Sequence, residues 1–124
     1  MTPIVFVALA LAGGLGAAAR FVLDGLLQSR ATSYPFGTLI INVSGSFLLG
    51  LVTGLALSAV VPAEVLTIVG SGFLGGYTTF STASVESVRL IQARRYEIAL
   101  THSVGMLILA VLASAAGLLL GSLY

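Results

Sequence analysis

From Thr38 to Val61 the chain runs TLIINVSGSFLLGLVTGLALSAVV without one charged side chain, and stretches of similar length recur along it. Nothing else in the sequence constrains the fold so strongly. The hydrocarbon core of a bilayer is about 30 Å thick and takes roughly 20 apolar residues per helix. A soluble domain devotes about a quarter of its residues to charge, whereas only 7% of this chain is charged and 58% is hydrophobic. With no polar face available for water, the expectation is an all-α integral membrane protein. Charged residues punctuate the chain into four spans, at about 4–23, 38–61, 65–88 and 98–123, which make residues 1–124 one four-span membrane domain. Pro35 and Gly37 mark a turn, and Thr38 suits the cap of the second span. The stretch VALALAGGLGAAAR resembles a signal peptide with a site at Ala17 to Ala19. A signal peptide needs a basic leading region, and no basic side chain precedes Arg20.

Small residues recur four apart at Gly50 and Gly54, Gly72 and Gly76, Gly117 and Gly121, with Gly13 and Ala17 repeating the theme. Close backbone approach at such faces drives helix association in lipid, so packing inside one bundle accounts for most of them. Four short spans still leave little interior, and a partner chain is expected. Every basic side chain is an arginine. Arg20 and Arg30 go with the first loop, and Arg89, Arg94 and Arg95 with the third. Threading four times puts those two loops on one side, and short basic loops stay in the cytoplasm. Both termini are therefore expected outside a plasma membrane. A net charge of +1 argues against a nucleic-acid partner.

Polar groups at membrane depth are functional by default. The first, second and fourth spans hold no mid-membrane carboxylate, and Glu86 lies near the arginine-bearing end of the third. A proton-coupled carrier has no obvious proton site. No Ser/His/Asp set with workable geometry exists, so no enzyme is expected, and the lone His102 reads as interfacial. There is no cysteine to ligate a metal. What remains is neutral. Asn42 offers two uncharged donors, which serve an interhelical bond or a ligand, and Ser44 and Ser46 flank it. Thr78, Thr79, Ser81 and Thr82 follow the poorly helical pair Gly75-Gly76, so the third span is expected to break there. Broken backbone at depth survives where it is buried in protein or lines a cavity. Freed carbonyls suit a cation, while amide and hydroxyl hydrogens suit an anion. The ring of Phe80 has a positive edge that can face an anion.

The segments GGLGAAAR (Gly13 to Arg20), PFGTLIINVSGSFLLG (Pro35 to Gly50) and GFLGGYTTFST (Gly72 to Thr82) resemble the signatures of the Fluc/CrcB family of fluoride channels, in motif order and over the whole chain. The resemblance implies an antiparallel dimer with two narrow pores and a structural Na⁺ at its centre. It implies that Asn42 donates to fluoride, Phe80 presents its ring edge, Ser81 and Thr82 form a hydroxyl track, the carbonyls of Gly75 and Thr78 hold the sodium, and Arg20 makes a vestibule electropositive. Snorkelling to the interface is the other reading of Arg20. The chemistry agrees: fluoride is small and strongly hydrated, so a pore must replace its water with closely spaced donors, and neutral donors let it leave again.

The sequence departs from that family in one place. Its third span usually reads Phe-Ser-Thr-Phe, and this chain reads Phe80-Ser81-Thr82-Ala83. One ring of the pair is absent, and Tyr77 lies at the wrong phase to replace it. The arginine bias fits a chain that inserts one way only, so the expectation extends to one half of a non-identical pair. The competing readings are a small four-span multidrug exporter, which would need a carboxylate that the first span lacks, and a non-conducting structural subunit.

Overall fold

The computed structural model describes residues 1–28 and 34–124, and within them every regular element is helical. Arg30, expected in the first loop, lies outside the described residues. Helix α1 is Pro3–Gln28 and α2 is Phe36–Leu57. A third helix, α3, covers residues 63–77, most of it in wide turns over Leu66–Leu74. Helix α4 is Phe80–Gln92, and α5 is Tyr96–Gly121 with wide turns at Thr101–Gly105. Three of these, α1, α2 and α5, are long and apolar enough to cross a membrane. A 26-residue helix such as α1 reaches about 39 Å, more than a bilayer core. The expected third span is divided between α3 and α4 by extended backbone at Thr78 (φ −79°, ψ 159°) and Thr79 (φ −146°, ψ 121°).

Two of the expected boundaries shift for local reasons. Helix α1 continues past Leu23 because no glycine-proline signal interrupts it, and Asp24 accepts from Gln28 one turn on at 3.3 Å. Arg20 lies inside this helix, as the span over residues 4–23 implies. Thr38 is not the cap of α2: the helix begins at Phe36 after Pro35, with no side-chain cap. Thr38 is buried in its first turn, and its hydroxyl donates to Glu86 Oε1 at 2.9 Å. The last turn of α2 closes on Ala59, which takes a left-handed φ of 58° while the amide of Val60 reaches back to the Leu55 carbonyl at 2.9 Å.

Packing is by paired helices whose backbones nearly touch. A Cβ on Gly76 would collide with the Gly13 carbonyl, and one on Gly16 with the Phe73 carbonyl, so α1 and α3 meet at closest approach. Helices α2 and α5 repeat the arrangement, with Gly50 against the Ser114 carbonyl and Gly117 against the Phe47 carbonyl. Every one of the four-apart pairs is thus engaged within the chain, as lipid solvation favours. The interior between the pairs is small: Ile41, Leu74 and Tyr77 form its centre, with Ala19, Leu23, Val69 and Phe73 packed around them. Large apolar side chains instead cover the outside, Ile4 and Phe21 being 82% exposed. That distribution belongs to a lipid solvent.

Candidate functional site

The site is organised by the interruption at Thr78 and Thr79. In an unbroken helix the amide of Thr79 would donate to the Gly75 carbonyl. Here it donates instead to Asn42 Oδ1 at 2.8 Å, and Asn42 Nδ2 donates to the Thr79 carbonyl at 2.8 Å. One side chain from α2 thus satisfies both backbone groups of an extended residue, which would otherwise cost several kcal/mol in lipid. The second Nδ2 hydrogen meets the Met106 sulfur at 3.1 Å. On the far side, the Thr78 amide and hydroxyl both donate to the Leu74 carbonyl, at 2.9 and 3.0 Å.

Helix α4 then restarts on a hydroxyl cap. Thr79 Oγ1 accepts from the Thr82 amide at 3.2 Å and donates to Thr82 Oγ1 at 3.1 Å, and Ser81 Oγ lies 3.3 Å away. This is the ordinary role of threonine at a helix start. The two halves therefore present opposite partial charges at the break, the carbonyl end of α3 and the amide end of α4. Arg20 serves the former. Its Nε donates to the Gly76 carbonyl at 3.2 Å across the α1–α3 contact.

A cavity of about 440 Å³ opens beside the break. Asn42, Ser46, Gly75, Thr78, Phe80 and Met106 are in its wall, along with Ala83, Ser84, Ser87 and Ser103. Of the expected fluoride residues, Asn42 and Phe80 come together here, and so do Gly75 and Thr78. Ser81 and Thr82 are not part of this wall; they belong to the cap cluster. Arg20 lines neither this cavity nor a second one of about 550 Å³ between Tyr34, Glu86, Arg89 and Arg95. Phe80 is 88% exposed on the single chain. Ala83 shares its wall, where a second ring would have stood. Tyr77 faces the opposite way, into the core, with its hydroxyl 3.0 Å from Ser44 Oγ.

Sequence reasoning missed Ser84 and Ser87, although they follow Phe80 at helical spacings of four and seven. Their hydroxyls donate to the carbonyls of Phe80 and Ala83 at 2.9 and 2.8 Å. Those carbonyls lie in α4 and have the helical ladder as well, so each serine hydrogen can swing to another acceptor at small cost. Met106 and Ser103 carried no local signal, because they reach the cavity from a different helix.

His102 does not stand alone. It is 0% exposed, its Nε2 stands 3.1 Å from Glu86 Oε2, and the ring of Tyr34 meets it edge-on at 5.8 Å. The pair is close, yet its alignment falls short of a hydrogen bond. The wide turns at Thr101–Gly105 are where α5 places this side chain against α4.

The chain matches the family model described as CrcB-like protein, Camphor Resistance (CrcB), over residues 7–118. It is 61% identical to a protein of Leifsonia xyli subsp. xyli named fluoride-specific ion channel FluC 1, over 99% of this chain and 90% of that one. A Cutibacterium acnes protein named fluoride-specific ion channel FluC 2 is 51% identical over 90% of this chain and 93% of its own length. A third, of the same name from Mycolicibacterium paratuberculosis, is 44% identical over 87% of this chain and 86% of its own.

Proposed function

This chain belongs to the CrcB-like family, and from that membership we infer that it is a subunit of a fluoride-specific ion channel. It lets cytoplasmic fluoride leave down its electrochemical gradient, without coupling to another energy source, and so lowers fluoride toxicity. The observation that carries this reading is the Asn42 amide. It is locked by Thr79 so that its other N–H meets only the Met106 sulfur, a weak acceptor, in the wall of a cavity shared with Phe80 and serine hydroxyls. Neutral donors at several points attract a desolvated anion without holding it. The test is fluoride efflux from proteoliposomes, read with a fluoride electrode. Efflux should appear with this chain, alone or with a second subunit, and be lost with Asn42→Asp.

Residues 63–77 and 80–92 act together as the third of four spans in a single membrane domain, and two subunits pack antiparallel. The exposed Phe80 supports this, since only a second chain would enclose its ring. Ser81 and Thr82 extend the hydroxyl path from the cap of α4. A structural Na⁺ at the dimer centre fits the chain's own chemistry: the Gly75 carbonyl has lost its helical donor to Asn42, and Gly75 is exposed beside Thr78. When bound, the ion would neutralise the carbonyl end of α3. Arg20 adds positive charge on the same side of the break, whether or not it also feeds a vestibule. Both termini lie outside the plasma membrane, following the arginine-bearing loops inside.

The second subunit is non-identical and inserts the other way. Ala83 supports this, because an identical partner would lack the same ring in both pores. A non-conducting role would rest on the same alanine, and the efflux measurement separates the two.

A further inference from the structure

We propose that Met106 is a removable cap on the anion donor of Asn42, its sulfur standing where a passing fluoride binds. This rests on the channel reading and deepens it. Asn42 is held by Thr79 on both its oxygen and one of its nitrogen hydrogens, each at 2.8 Å. That two-point grip fixes which end of the amide is nitrogen and where its remaining hydrogen goes. It goes to Met106 Sδ at 3.1 Å. Both side chains are in the wall of the same 440 Å³ cavity, and Met106 is buried.

A thioether is a weak acceptor on a flexible, unbranched stem. It satisfies the leftover donor in the absence of ion. An anion makes a stronger, charge-assisted bond to the same N–H, so fluoride displaces the sulfur and the stem rotates away. Met106 thereby sets the threshold at which fluoride engages Asn42. A poorer acceptor would lower that threshold, and a better one would raise it.

The test compares three side chains at position 106 by the fluoride concentration that half-saturates efflux. Met106→Leu preserves volume without the acceptor, a change cores tolerate well. Norleucine, which puts a methylene in place of the sulfur, is the second acceptor-free variant should leucine pack badly. Met106→Gln supplies a strong carbonyl acceptor. The acceptor-free forms should half-saturate at roughly fivefold lower fluoride, the factor carried by an ordinary hydrogen bond, and the glutamine form at higher fluoride. Equal values for methionine, leucine and norleucine, or a rise in the acceptor-free forms, overturn the cap. An unmodified chain that gives no efflux in any subunit combination overturns the channel reading and the cap with it.

Discussion

Asn42 and Thr79 pair through both edges of one amide, Nδ2 to the carbonyl and the backbone N–H to Oδ1, each at 2.8 Å. The side chain stands in for a strand neighbour at the point where α3 gives way to α4. The residue proposed to meet fluoride is therefore also the one that holds the break together.

Asn42→Ala should leave both Thr79 groups unpaired, at about 1–3 kcal/mol each. Reversible unfolding in mixed micelles should show a loss of about 2–6 kcal/mol for the two together. Asn42→Asp keeps the acceptor for the Thr79 amide but sets a carboxylate oxygen against the Thr79 carbonyl, so efflux should fall by at least about 100-fold. Near-normal flux with aspartate would remove the amide from the path.

Arg20→Gln separates two roles of one residue. As a cap on the Gly76 carbonyl, 3.2 Å from Nε, it should contribute about 1.5–3 kcal/mol, visible in unfolding. As a vestibule charge, its loss should lower flux most at low ionic strength, where screening is weakest. The geometry predicts a stability loss with little change in the salt dependence of flux.

Gly117→Ala should be severely disruptive, because its Cβ would meet the Phe47 carbonyl. Overpacking of this kind costs about 1–3 kcal/mol or more. Gly14→Ala meets nothing within 4 Å and should leave the fold intact, gaining up to about 1 kcal/mol in helix propensity. Similar melting behaviour for the two variants would contradict the close α2–α5 approach.

Phe80→Cys introduces the only thiol in a chain that has none. On a lone subunit that position is 88% exposed, so maleimide should react with it readily in detergent. In the assembled channel a second chain should cover it and slow labelling at least about tenfold, the change that burial worth ~1.4 kcal/mol brings. Equal rates in both states would argue that the partner docks elsewhere.

Much of this protein is determined by the order of its residues alone. Uncharged runs, four-apart glycines and the polar interruption after Gly75-Gly76 are local patterns, and lipid as solvent makes each nearly unavoidable. A membrane bundle with close helix pairs and a weak point at Thr78–Thr79 follows from them, as does the prominence of Asn42 and Phe80. Tertiary structure decided what those side chains meet. Thr38 looked like a cap and instead donates to Glu86; His102 looked solitary and is buried against the same carboxylate. Ser103 and Met106 join the cavity only because α5 packs along α2 and turns widely at Thr101–Gly105. The reason is physical: a local pattern sets which face of a helix is polar, whereas the partner across a break depends on how neighbouring helices are rotated and spaced.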